Sequence, residues 1–151
     1  MIEVSRETPR QSDVVALIRQ SDELMQSLYP AESNHLVDVE SLARPNVHLF
    51  VAREAGRALG CGAFVVGAGG QAEMKRVFVD PAARGKGVAR LIMEALEREA
   101  ALLGVTLMQL ETGIKQPEAI ALYRKFGYIE RGPFSAYQPD PLSLFMEKRL
   151  A

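Results

Sequence analysis

Apolar positions along this chain switch between a spacing near two and a spacing near three and a half, and each switch marks an element. Residues 2–6 read as a short strand. From Asp13 to Leu28, the residues Val14, Leu17, Ile18, Leu24, Met25 and Leu28 share one helical face, with Ser12 placed to cap it. Tyr29-Pro30-Ala31-Glu32-Ser33-Asn34 reads as a loop, and a short helix from His35 to Leu42 is predicted to follow, capped by Ser33 or Asn34. Val47 to Arg53 and Ala58 to Val66 are strand-like and meet around Glu54-Ala55-Gly56, a hairpin signal. Gly67-Ala68-Gly69-Gly70 turns into a strand over 73–79, which Asp80-Pro81 stops. A long helix is predicted from Gly87 to Leu103, with Gly104 at its C-terminal end. Val105 to Glu111 reads as a strand. Pro117 then opens a helix through Phe126, closed by Gly127, and strands near Tyr128–Glu130 and Leu142–Lys148 end the chain.

The 151 residues show no repeat and no linker, which suits one domain over 1–151. The formal net charge of −1 gives no footprint for nucleic acid or an anionic membrane, so neither is expected as a partner. No apolar run approaches the ~18 residues needed to span a bilayer, and the first residues lack a signal-peptide core. A single cysteine, Cys61, excludes an internal disulfide and points to a reducing, cytoplasmic setting. Set among Gly60, Gly62, Ala63 and Phe64, it reads as a packed thiol and not a nucleophile. His35 and His48 are too few and too far apart for a metal site, and none is expected.

The most informative segment is Arg84-Gly85-Lys86-Gly87-Val88-Ala89, which lies between the 73–79 strand and the long helix. A turn of this kind aims backbone N–H groups, the positive end of a helix dipole and the Arg84 and Lys86 side chains at one point. That is an anion site, and a pyrophosphate fills it best. The glycines let the backbone approach the anion with no Cβ in the way. Neither a Gly-x-x-x-x-Gly-Lys-Ser/Thr loop nor a strand-linked Gly-x-Gly-x-x-Gly with its distal acid is present.

A second segment, Ala119-Ile120-Ala121-Leu122-Tyr123-Arg124-Lys125-Phe126-Gly127-Tyr128, begins about 35 residues after the first. Either segment alone is a common pattern. In this order, and with this succession of elements, nearly the whole chain resembles the GNAT superfamily of N-acetyltransferases. Leu28 to Ser33, Gly132 to Phe134 and Asp140 to Ser143 are similar to a bacterial subgroup of it. The resemblance implies an α/β (α+β) fold, with a mixed, mostly antiparallel twisted sheet of six or seven strands flanked by four helices. It also implies acetyl-CoA as co-substrate, held by Arg84, Gly85, Lys86, Gly87, Val88 and Ala89, by the strand backbone at Val77, Phe78 and Val79, and by Tyr123. Many family members carry an asparagine where this chain has Gln116. An amide is retained on a longer stem, so the contact to the pantetheine arm is carried over to Gln116.

Chemistry assigns further roles. An amine with a pKa of about 10.4 is protonated at neutral pH, and removing its proton costs about 4.6 kcal/mol. A proton acceptor is therefore needed, directly or through water. Glu111 is the best-placed carboxylate, with Glu73 and water as alternatives. The resemblance gives the oxyanion its donor from the backbone of 77–79. The departing thiolate belongs to an acid of pKa about 8.5, so a tyrosine near 10 protonates it uphill by roughly 2 kcal/mol, and Tyr123 can serve as general acid. Arg124 or Lys125 nearby would lower its pKa, although helix geometry points adjacent side chains elsewhere. In this fold the loop from Tyr29 to His35 and the segment from Phe134 to Asp140 flank the acetyl end. They would bring Glu32, Ser33, His35, Tyr137 and Asp140 to the acceptor, with Arg76 available for an acceptor carboxylate. The expected acceptor is a small polar or amino-acid-like amine. A homodimer through the C-terminal strands is expected by family analogy, and a non-catalytic acyl-CoA-binding module is the alternative function.

Overall fold

Three irregularities in strand pairing shape this protein around its site. The computed structural model describes residues 1–33 and 38–150. Segments of period two form strands β1 (Ile2–Arg6), β2 (Val47–Glu54), β3 (Arg57–Val66), β4 (Gln71–Val79), β5 (Leu107–Gly113), β6 (Ile129–Arg131) and β7 (Ser143–Arg149). Helical segments form α1 (Ser12–Leu28), α2 (Val39–Leu42), α3 (Val88–Leu102) and α4 (Pro117–Lys125). All seven strands join one sheet in the order β1-β2-β3-β4-β5-β7-β6, antiparallel except between β4 and β5. Helix α3 makes the crossover between that parallel pair.

The sheet is covered on both faces. On one, α3 and α4 bury Val88, Ile92, Met93, Leu96 and Tyr123 against Phe50, Phe64, Met74, Met108 and Met146. On the other, Val14, Leu17 and Ile18 of α1 and Leu42 of α2 pack on Leu49, Val51, Cys61, Ala63 and Phe78. Simple alternation would send Met74 and Phe78 to the same face. They lie on opposite faces because the β3–β4 register shifts between Cys61 and Ala63, and Arg76 sits in the left-handed region at φ 59°. A bulge inserts one residue and inverts the parity beyond it, so Val77 and Val79 turn towards the α3 side. A second shift, between Ala52 and Arg53, does the same where β2 meets β3.

The third irregularity is a splay. Strands β4 and β5 pair only from Gln71↔Leu107 to Met74↔Leu110. Beyond the bulge β4 stays with β3, while Glu111 to Gly113 of β5 stay with β7. A wedge therefore opens between the C-terminal ends of two parallel strands, where α/β sheets commonly take their ligands.

Several boundaries differ from expectation for local reasons. The cap expected at Ser12 is Gln11, which makes no capping bond, because its amide is engaged by Glu7, the Thr8 carbonyl and Arg53. Helix α2 is capped by Asp38, which accepts the Ser41 N–H at 2.8 Å. Ser33, expected as a cap, instead donates to Asp140; Asn34, His35 and the expected start of this helix lie outside the described residues. Strand β5 starts two residues late because the Val105 N–H bonds the Ala100 carbonyl and the Thr106 N–H bonds that of Gly70.

Candidate functional site

Two cavities of unlike chemistry open on the two sides of the splay. The larger, about 940 Å³, runs from the 84–89 turn along β4 and α4. Of the residues expected to hold the cofactor, Val77, Phe78, Val79, Arg84, Gly85, Gly87, Val88, Ala89, Gln116 and Tyr123 line it. Leu24 and Leu28 of α1, Ala119 and Leu122 of α4 and Phe126 at its C-cap supply an apolar wall; the last three belong to the second motif, but the α1 pair lies outside both motifs. Lys86 is the exception: its Nζ lies 3.7 Å from Glu54 Oε1 on the β2–β3 hairpin, and it is not among the lining residues.

The turn has the geometry an anion requires. Gly85 and Gly87 have φ of 85° and 76°, values that L side chains rarely adopt. Gly87 is the N-cap of α3 and offers no side-chain acceptor to the first-turn N–H groups, and Gly87, Val88 and Ala89 line the groove together with Arg84. No acidic residue stands in the first turn of α3. These features fit a diphosphate.

The smaller cavity, about 130 Å³, is lined by charged and hydroxyl groups: Ser33, Glu73, Lys75, Arg76, Glu111, Tyr137 and Ser143. Tyr137 donates a short hydrogen bond to Glu73 Oε2 and accepts one of 2.8 Å from Lys75 Nζ, which pairs with Glu73 at 3.0 Å. Burial, then the bond to Glu73, pushes the Tyr137 hydroxyl pKa up. Ser143 donates to Glu111 Oε2 at 2.7 Å. Ser33 donates to Asp140 at 2.7 Å, so the two segments expected to flank the acceptor do meet. Glu32 is exposed on a turn of 3-10 helix, Ala31–Ser33, and does not line the cavity. His35 lies outside the described residues.

Arg76 requires a correction. It borders the cavity, but its guanidinium forms an ion pair with Asp22 of α1 and donates to Ser21 Oγ at 3.3 Å. Its side chain is 5% exposed, and its charge is compensated from within the protein. The bulge causes this, because the left-handed residue no longer follows the alternation of its strand. Lys75 and Ser143 were missed as site residues, although Lys75 stands two positions from Glu73 and so shares its strand face.

Val77, Gln116 and Tyr123 line both cavities and define their junction. Tyr123 is 7% exposed and packs edge-on against Tyr128, with ring centroids 6.0 Å apart. Burial raises its pKa to about 12. Arg124 and Lys125, its neighbours in sequence, are both exposed, and Lys125 borders the larger cavity. Cys61 is fully buried and its pKa is likewise pushed up to about 12, which keeps the thiol protonated.

The Acetyltransferase (GNAT) family model matches residues 15–128, and the chain belongs to that family. Over 150 residues it is 50% identical to the IAA acetyltransferase of Azospirillum brasilense, covering 99% of this chain and 98% of that one. A solved structure from Klebsiella pneumoniae, provisionally assigned as an acyl-CoA N-acyltransferase, is 38% identical with a TM-score of 0.87, covering 100% of this chain and 99% of that one. The paiA N-acetyltransferase of Thermoplasma acidophilum, solved with coenzyme A, shares the fold at 16% identity and a TM-score of 0.76, with 99% of each chain covered. The protein is an acyltransferase, and its activity is acyl-CoA-dependent acetyl transfer. Among the described residues, no helix is long and apolar enough to cross a membrane.

Proposed function

We propose that the protein moves an acetyl group from acetyl-CoA to the primary amine of a small polar or amino-acid-like acceptor, by direct attack within a ternary complex. The observation that carries this is the meeting of a long, partly apolar groove with a small, charged cavity at Tyr123, Val77 and Gln116. The turn at 84–89 would hold the pyrophosphate, and the β4 backbone beyond the bulge would hold the pantetheine arm and the thioester oxygen. The ladder supports this, since β4 has no β5 partner after Met74.

Glu111, which lines the small cavity on β5 just beyond its last pair with β4 and whose Oε2 accepts from Ser143, is assigned the amine proton; Glu73 Oε2 accepts from Tyr137 and pairs with Lys75. Tyr123 is assigned proton donation to the leaving sulfur. A hydroxyl of pKa about 12 facing a free thiol of about 8.5 is mismatched by about 5 kcal/mol, more than an ordinary tyrosine would be. The same dry junction disfavours the thiolate, however, and raises the pKa of the thiol too, which narrows the gap.

A pH dependence follows. A tyrosine of raised pKa stays in its acid form until pH approaches that value. The turnover number should therefore show no alkaline fall from Tyr123 below about pH 11. A pH–rate profile taken to pH 10 on wild type and Tyr123→Phe checks this. An alkaline limb near pH 9 that vanishes in the variant would contradict it.

The small volume supports a small acceptor, since a peptide tail needs an open channel. Release of free CoA thiol should be followed across amino acids, polyamines, other small amines, lysine peptides and IAA, the acceptor in the Azospirillum relative's name. Turnover with one or more small amines is expected. Robust acetylation of peptides with none of any small amine would overturn the assignment.

A further inference from the structure

Gln116 occupies the N-cap of α4 yet makes no capping hydrogen bond, so its amide is directed elsewhere. It reaches back to Tyr29, at the end of α1, whose Oη donates to Gln116 Oε1 at 3.3 Å. Tyr29 Oη itself accepts the backbone N–H of Lys115 at 3.1 Å. Lys115 Nζ in turn donates to the Leu28 carbonyl at 3.0 Å and lies 5.9 Å from the Tyr29 ring centroid. The α1 terminus and the 113–116 loop are thus fastened together across the splay. The contact is close: a Cβ on Gly113 would stand 1.8 Å from Tyr29 Oη and 2.1 Å from its Cζ. Tyr29 is 7% exposed and borders the acceptor cavity, while Gln116 borders both cavities.

We infer that Tyr29 is a positioning residue for the transfer, acting through Gln116. By engaging Oε1 of the amide, it turns the NH₂ end towards the groove, where that group can donate to a carbonyl of the pantetheine arm. This also gives a reason for glutamine in place of the shorter family residue. The longer stem lets one amide touch both the tyrosine and the groove. Without the tyrosine the amide would sample other rotamers, and the cofactor would have to select the productive one.

The inference rests on the acetyl-CoA assignment above, and the test separates the two. Calorimetry with acetyl-CoA on wild type comes first, because absence of binding there would remove the assignment itself. Given binding, Tyr29→Phe should raise the KM for acetyl-CoA roughly fivefold, the size of one neutral hydrogen bond, with kcat changed less. Gln116→Ala should raise it at least as much. Tyr29→Phe added to Gln116→Ala should then change the KM by less than about twofold, because the tyrosine has lost the group it acts through. Thermal unfolding identifies any variant that fails to fold, and Gln116→Asn is the second probe. Its shorter amide falls short of Tyr29, so Tyr29→Phe should have no further effect on that background either. Multiplicative effects in the double variants, or an unchanged KM in folded Tyr29→Phe, would overturn the inference.

Discussion

Replacing Tyr123 with phenylalanine should lower kcat by on the order of 10² or more while leaving acetyl-CoA affinity within about twofold, the pattern of a lost general acid. The substitution removes one oxygen and keeps the ring. That ring carries the packing: it is buried, stands edge-on to Tyr128 and belongs to the α3–α4 side of the core. Phenylalanine can make the same contacts, so a loss of turnover would not be a loss of fold. Because the hydroxyl lies where the two cavities join, its removal should be felt when the carbon–sulfur bond breaks and little when the cofactor docks. Steady-state kinetics paired with calorimetry make the distinction. An unaltered kcat would transfer the proton to water. Tyr137 would be a weak substitute, since its hydroxyl is committed to Glu73 and Lys75.

The second large effect is expected at the turn. Gly87→Val should weaken acetyl-CoA binding by several kcal/mol, far beyond an ordinary surface substitution. Two causes act together. Gly87 sits at φ 76°, a region that costs L residues roughly 1–2 kcal/mol and costs a β-branched residue more. The Cβ itself meets little in the free protein, the nearest heavy atom being Arg90 Nη2 at 3.7 Å, and because Gly87 lines the groove a valine there is expected to compete with the pyrophosphate for space. Because φ strain alone would lower stability as well as affinity, thermal unfolding belongs beside the calorimetry. Undiminished acetyl-CoA affinity in the folded variant would remove the turn from the site.

How much of this could be read from residue order differs by element, for physical reasons. Long helices with unbroken apolar faces, such as α3, declared themselves, and so did the two glycine turns that start and end them. The turn and Tyr123 were legible because each lies within a contiguous pattern. The bulge at Arg76 was not, since nothing in Lys75-Arg76-Val77 marks a non-glycine residue for positive φ. With it went the place of Arg76, whose side chain pairs with Asp22 of α1; Lys75, by contrast, follows the ordinary alternation from Glu73 and was simply overlooked. The Tyr29–Gln116 bond joins residues 87 positions apart, and local periodicity carries no record of such a contact. Long-range side-chain pairing, more than secondary structure, is what the chain order concealed.

In the proposed reaction the acetyl group passes directly at the junction, from acetyl-CoA to a bound amine, and never lodges on the protein. Mass spectrometry of the intact protein, incubated with acetyl-CoA and then given an acceptor found in the amine panel, tests it most directly. Unmodified protein is expected before the amine is added, then equal amounts of free CoA thiol and N-acetylated amine. A stable acetylated protein that forms without amine and discharges when amine is added would contradict direct transfer, as would tight acetyl-CoA binding with no thiol released to any acceptor.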